Sequence, residues 1–234
     1  MTPRRVAIVK SAGRADAFAQ AVRDLGLVPV LVSPFRFESL ADGERALAAE
    51  IAKRPRWVAV TSPQAAASLD GHVAALAGAR LAAVGSGTAT ALQSAGLRPE
   101  VVGDAGGDAL ARRMVAAGLA RGDVVLHPCG EDARGELSHT LRAAGATVVP
   151  VAVYRMVADE VGTRSVTGEF AAVVIGSPRL AQRAADLFPS RPPAIAVGRT
   201  TASALRDLGW PPAHVAATPT PDDVAGALRA VLGE

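Results

Sequence analysis

The sequence predicts an α/β protein made of two like domains, each a doubly wound parallel sheet covered by helices. Two observations carry that expectation. The chain presents nearly the same pattern twice, about 115 residues apart, which is too long a period for a solenoid and suits two copies of one domain. Each copy also alternates strand-length apolar runs with helix-length segments, the pattern of parallel rather than hairpin sheets. AVGSGTATALQSAGLRPEVV (Ala83 to Val102) returns as AVGRTTASALRDLGWPPAHV (Ala196 to Val215), and VAVTSPQAAASL (Val58 to Leu69) as AVVIGSPRLAQRAADL (Ala172 to Leu187). The opening stretch Val6 to Phe37 returns as Val124 to Met156, and GGDALARRMVAAGL has a partner in PDDVAGALRAVL. Two such copies predict a ligand cleft between them.

Element by element, Arg5 to Lys10 is an apolar run of strand length. Asp16 to Leu25 sets Phe18, Val22 and Leu25 at helical spacing, and Gly26 stands where a glycine ends a helix. Val28 to Val32 is the next strand. The matching unit reads strand Val124 to His127, helix Ala133 to Ala143, Gly145, strand Thr147 to Val153. A second kind of unit follows each: strand Trp57 to Val60 into Thr61-Ser62-Pro63, and strand Ala171 to Ile175 into Gly176-Ser177-Pro178. Ser before Pro suits a helix N-cap with proline at the first helical position. The LAAVGSGTA and PAIAVGRTTA segments then turn from strand into an Ala/Leu-rich helix. In an open α/β sheet such turns lie at the carboxyl ends of strands, where ligands bind and helix N-terminal amides favour anions.

Bulk properties narrow the function classes. Of 234 residues half are hydrophobic, with a mean hydropathy of +0.25, enough for two cores. Apolar runs stop far short of the ~20 residues a bilayer span needs, and no charged-then-apolar signal segment opens the chain. The single cysteine, Cys129, excludes an internal disulfide. These features predict a soluble, cytoplasmic protein without membrane contact. The formal charge is +3, nearly all of it from arginine, since Lys10 and Lys53 are the only lysines. Aromatic residues make up only 3%, which leaves little to stack on bases, so no nucleic-acid partner is expected.

Familiar catalytic signatures are missing. GSGTAT and GRTTAS are not GxGxxG, and no GxxxxGK[ST] or GxSxG occurs. His72, His127, His139 and His214 share no metal-ligand spacing with one another or with Cys129, so no metal and no cofactor is expected and the histidines are read as structural or surface residues. What remains is a set of hydroxyls and cations at strand-to-helix turns: Lys10, Ser11 and Arg14; Thr61 and Ser62; Ser86, Thr88 and Thr90; Arg134; Ser177; Arg199, Thr200 and Thr201. Singly each reads as a helix cap or surface group. Together, in both copies, they suit holding a polycarboxylate more than performing hydrolysis. Tyr154, the only tyrosine, ends the apolar strand VAVYRM. A tyrosine at the end of an apolar strand often reads as plain packing, yet this one stands near the crossing between the two copies.

At VTSPQA, AVGSGTATALQSAG, HPCGEDARGELSHTLRAAGATV with VAVYR following, GSPRLA, and AVGRTTASALRDLG before TPTPDD, the chain resembles the uroporphyrinogen-III synthase family over nearly its full length. The order and spacing of these segments carry the resemblance. It implies a monomeric, cofactor-free enzyme of tetrapyrrole synthesis, with two flavodoxin-like domains joined by a two-stranded hinge and an active-site cleft between them. It also implies that one domain is discontinuous: 1–35 with 160–234, the other 39–153, with crossings near 34–40 and 154–166.

The family's reaction closes the linear hydroxymethylbilane into uroporphyrinogen III and inverts the terminal ring D. Loss of the hydroxyl gives a cationic azafulvene, attack through the substituted position gives a spirocyclic intermediate, and fragmentation and reclosure give the product. The uncatalysed bilane closes without inversion, so the task is largely orientation, an effect with an upper range of ~7–11 kcal/mol. By resemblance, Tyr154 assists departure of the hydroxyl, while Thr61, Ser62, Thr88, Ser177 and Thr200 line the cleft. Lys10, Arg14, Ser86, Arg134, Arg199 and Thr201 complete the expected carboxylate-binding set. Two departures stand out: Lys10-Ser11 where the family has Thr-Arg, and Gly176 where Thr is common. A non-catalytic ligand-binding or regulatory protein on the same bilobal scaffold is the alternative from another function class.

Overall fold

A computed structural model describes residues 3–10, 16–104, 106–164 and 166–233. The chain opens with β1 (Arg5–Val9), α1 (Asp16–Arg23), β2 (Val28–Val32) and β3 (Phe35–Ser39). Next come α2 (Ala41–Ala52), β4 (Trp57–Val60), α3 (Pro63–Ala67), β5 (Arg80–Val84), α4 (Gly85–Ser94), β6 (Val101–Gly103), α5 (Gly106–Ala116), β7 (Val124–Gly130), α6 (Glu136–Ala143) and β8 (Thr147–Ala158). It finishes with β9 (Ala172–Ile175), α7 (Pro178–Leu187), β10 (Ala194–Ala196), α8 (Arg199–Asp207), β11 (His214–Val215) and α9 (Pro221–Leu232).

Contacts divide the chain into two compact units, Met1–Arg36 with Val157–Glu234, and Phe37–Met156. The first holds a sheet of order β11-β10-β9-β1-β2, in which every neighbouring pair is parallel. In chain order this is 2-1-3-4-5, an order of doubly wound sheets. The second holds β3-β8-β7-β4-β5-β6, with β8, β7, β4, β5 and β6 parallel to their neighbours. Matching the sequence repeats onto the strands pairs β1 with β7, β2 with β8, β9 with β4, β10 with β5 and β11 with β6. The two strand orders then coincide, so the duplication in sequence is a duplication in topology.

The central strands β4 (WVAV) and β9 (AVVI) are apolar and buried throughout because both faces of each sheet are covered. Val58 and Val60 pack into a cluster with Leu47, Ile51, Leu69 and Leu92, whereas Trp57 and Ala59 face Leu110, Met114 and Leu141 on the other side. In the first unit Val6 and Ile8 meet Phe18, Val22 and Leu228, while Ala7 and Val9 meet Leu180, Leu205 and Trp210. No described helix is long and apolar enough to cross a membrane.

Three sequence-based boundaries shift. Strand β7 runs past His127 to Gly130, and β8 runs past Val153 to Ala158, because the two continue pairing across a register shift at Cys129/Gly130 that sets Gly130 opposite Tyr154. Pro128 breaks no pairing with β4, whose register with β7 ends at Leu126. Helix α6 starts at Glu136 rather than Ala133, since the Ala133 N–H is used in a turn to the Gly130 carbonyl (3.0 Å).

Candidate functional site

In the unit Phe37–Met156 the polar turns sit at the carboxyl edge of parallel strands. Chain leaving β4 reaches Thr61 and Ser62, and Ser62 caps α3 in extended backbone, its Oγ accepting from the Ala65 N–H at 3.1 Å, with Pro63 at the first turn. Tyr154 on β8 donates its Oη–H to the same Ser62 Oγ at 3.0 Å. A serine hydroxyl has two acceptor lone pairs and one proton. Both lone pairs are taken here, so Ser62 keeps its own proton to donate. Phe37 meets the half-buried tyrosine ring edge-on, with centroids 5.5 Å apart and planes at 87°. Opposite, Gly130 lies so close that a Cβ there would fall 2.8 Å from Tyr154 Cζ. Arg155 pairs with Glu38 at 2.6 Å, tying β8 to β3 just beyond the tyrosine.

Beside this pair, Thr61 Oγ1 lies 3.2 Å from His127 Nε2. His127 is buried inside β7, and burial pushes its pKa down from 6.5 to about 4. Ser86 is exposed at the start of α4, and Arg134 is exposed in the turn between β7 and α6. Thr88 differs from the expectation of a surface donor: one turn into α4 it points inward and is 3% exposed.

The first unit repeats the plan with different side chains. Ser177 caps α7, its Oγ accepting from the Leu180 N–H at 3.4 Å. Gly198, at φ 99°, makes the turn from β10 into α8 in a backbone conformation that favours glycine, as Gly85 does at φ 71° after β5. Arg199 and Thr200 are exposed in the first turn of α8. Thr201 is buried, its hydroxyl donating to the Val197 carbonyl at 3.5 Å, so like Thr88 it braces its helix from within. Arg199 and Arg206 line a cavity of about 540 Å³ with Val215, Ala216 and Ala217.

Lys10 follows β1, its Nζ 3.3 Å from the centroid of the Phe18 ring. The two departures from the family pattern are neighbours: a Cβ on Gly176 would meet Lys10 Cγ at 3.0 Å, so the lysine stem takes the room a threonine at 176 would need. Ser11 and Arg14 lie outside the described residues.

The structure thus brings together Thr61, Ser62 and Tyr154 in one unit, and Lys10 with the Gly176-Ser177 turn in the other. It adds His127, Gly130, Phe37 and Arg206, which the sequence did not single out; of these, a histidine and a glycine inside the apolar run VVLHPCG were the visible signal. Among the described residues no group of three or more His, Cys, Asp or Glu is placed to hold a metal ion.

Comparison with known proteins agrees with this architecture. A uroporphyrinogen III synthase from Thermus thermophilus, solved as a triple mutant, matches with a TM-score of 0.63 at 23% identity, covering 99% of this chain and 100% of that one. The uroporphyrinogen-III synthetase of Helicobacter pylori matches with a TM-score of 0.66 at 16% identity, covering 97% and 99%. At these identities the likeness establishes the fold. No curated protein matches the sequence. The family model described as uroporphyrinogen-III synthase HemD matches residues 16–226, and on that match over most of its length the chain belongs to the uroporphyrinogen-III synthase family.

Proposed function

We propose that the chain closes hydroxymethylbilane to uroporphyrinogen III with inversion of ring D, as a monomeric, cofactor-free cytoplasmic lyase. Family membership supports this reaction over a non-catalytic role. The observation that carries the residue-level reading is the Tyr154 Oη to Ser62 Oγ hydrogen bond at 3.0 Å, at the carboxyl edge of its sheet. The tyrosine hydroxyl sits one proton transfer from a serine that keeps a proton of its own. In this reading Tyr154 turns its proton from Ser62 to the departing hydroxyl of the bilane, which leaves as water; the phenolate so formed accepts a hydrogen bond from the Ser62 Oγ–H and regains a proton when ring closure releases one.

Binding falls to the exposed donors. The substrate's carboxylates are anions that suit hydroxyls and amides at helix N-termini and guanidinium groups. Thr61, Ser62, Ser86 and Arg134 serve from one unit; Lys10, Ser177, Arg199 and Thr200 from the other; and Arg14 belongs with this set by its place in the sequence after the first strand. Thr88 and Thr201 contribute by fixing the helix starts that present Ser86 and Thr200. Once the hydroxyl has left, the enzyme holds the bilane so that attack goes through the substituted ring position. The rate advantage is one of orientation.

The test supplies enzymatically generated hydroxymethylbilane and separates the porphyrin isomers after oxidation. The type III isomer is expected in excess, and a product consisting only of type I refutes the proposal. Size-exclusion chromatography with light scattering checks the monomer.

A further inference from the structure

His127 is a buried titratable group that the reaction outlined above leaves unused. It lies within β7 at 2% exposure, with Nε2 3.2 Å from Thr61 Oγ1. Its other ring nitrogen, Nδ1, is buried without a hydrogen-bond partner. With its pKa held near 4 by burial, the ring is neutral at neutral pH and carries a single N–H.

That proton has two possible homes. On Nδ1 it would leave a buried donor stranded, and Nε2 would absorb the Thr61 proton as an acceptor. On Nε2 it leaves only a lone pair unused, and Thr61 receives the bond. Orphaned buried N–H groups are rarer than under-used acceptors, which selects the second tautomer. We propose that His127 is a positioning residue whose Nε2–H donates to Thr61 Oγ1, so that Thr61 is held with its own proton free to donate to a carboxylate of the substrate. His127 then does for Thr61 what Tyr154 does for Ser62, and two adjacent hydroxyls become donors.

The other copy of the fold supports the pairing. Strand registers align Val125 with Trp57 and Val6 with Ala172, and Trp57 and Ala172 occupy the same place relative to their TSP and GSP turns. The equivalent of His127 is therefore Ile8, and that of Thr61 is Gly176. Where the hydroxyl is absent, so is the histidine.

The proposal rests on the functional reading above, but its first test does not. In protein labelled with ¹⁵N-histidine, long-range ¹H–¹⁵N spectra identify the tautomer of each ring, and His127→Gln assigns the signal. The Nε2–H pattern is expected unchanged from about pH 5.5 to 8; an Nδ1–H or doubly protonated pattern overturns the proposal, whatever the isomer assay yields. The second test is kinetic. His127→Leu is expected to raise KM for hydroxymethylbilane about 10-fold, the scale of one hydrogen bond to a charged group, with kcat changed less than about threefold. His127→Gln, which keeps an N–H donor, is expected to restore most of that loss. Thr61→Val should raise KM equally, and the double variant no further. An unchanged KM in His127→Leu, or losses that multiply in the double variant, overturns the proposal.

Discussion

The closeness of Gly130 to Tyr154 makes the tyrosine's position testable without touching its hydroxyl. Gly130→Ala adds one methyl group, at a backbone conformation outside the left-handed region where alanine would be strained. That methyl would lie 2.8 Å from Tyr154 Cζ, 2.9 Å from Oη and 3.0 Å from Cε2. Carbon pairs settle at about 3.5–4.0 Å, so the ring must retreat by about 0.7–1.2 Å. The hydrogen bond from Oη to Ser62 Oγ starts at 3.0 Å, and a retreat of that size along the bond stretches it to about 3.7–4.2 Å, beyond hydrogen-bond range. Overpacking costs about 1–3 kcal/mol of stability, and misplacing a catalytic group by about 1 Å costs on the order of 10²-fold in rate. The assays are urea unfolding and type III isomer formation from hydroxymethylbilane. In a Tyr154→Ala background the methyl has room, so the stability cost of Gly130→Ala should vanish there. Wild-type turnover in Gly130→Ala, or the same stability loss in both backgrounds, would refute the reasoning.

Three further outcomes follow from the same contacts. Tyr154→Phe keeps the ring and its packing on Phe37 but removes the proton; turnover is expected to fall about 10²-fold with the unfolding midpoint shifted little, and wild-type turnover would remove Tyr154 from the mechanism. Because His127 has a native pKa near 4, below its ordinary 6.5, the unfolded chain takes up a proton first as pH falls. Stability contributed by the neutral ring is therefore present above pH 6.5 and lost on acidification towards about pH 4, by about 3 kcal/mol in all; chemical unfolding at stepped pH should show that slope in the native protein and not in His127→Leu. Gly43→Ala would place a Cβ 1.9 Å from the Ala152 carbonyl oxygen, a backbone atom that cannot swing aside. It should cost about 3 kcal/mol or more despite the better helix propensity of alanine, and an unchanged urea midpoint would show that Gly43 does not lie against Ala152.

How much of this was legible in the sequence depended on whether the signal was local. Strands buried on both faces read clearly because every residue in WVAV or AVVI must be apolar, and the caps read clearly because Ser62-Pro63 and Ser177-Pro178 satisfy their own helix starts three residues on. Strand β3 was not separable from a crossing segment, since FRFES alternates apolar and charged residues over only five positions. Helix α2 buries just Gly43, Leu47 and Ile51, too thin a stripe to stand out. The site resisted for a different reason. Thr61 and His127 are 66 residues apart, and Ser62 and Tyr154 are 92 apart; neither contact leaves a spacing rule in the chain. The inward turn of Thr88 and Thr201 was hidden by the helix phase, which points one hydroxyl of a Ser/Thr-rich first turn into the core.

The duplication itself argues for the division of roles. Aligning VSPFRF with VAVYRM puts Phe35 at the place of Tyr154, and the strand registers put Ile8 at the place of His127 and Gly176 at that of Thr61. One copy thus carries the tyrosine, the histidine and the threonine, while the other has a lysine stem filling the place of a hydroxyl, and Arg199 with Arg206 around one cavity. The reaction assigned to this family calls for that asymmetry. A bilane carries many similar carboxylates, which helix N-terminal amides and cations suit, but only one hydroxymethyl group, which needs one proton donor in one place. Two identical copies would protonate without preference. On the proposed reading, Ser62, Thr61 and Tyr154 of one copy are the donors that set the direction in which a nearly repetitive substrate is held.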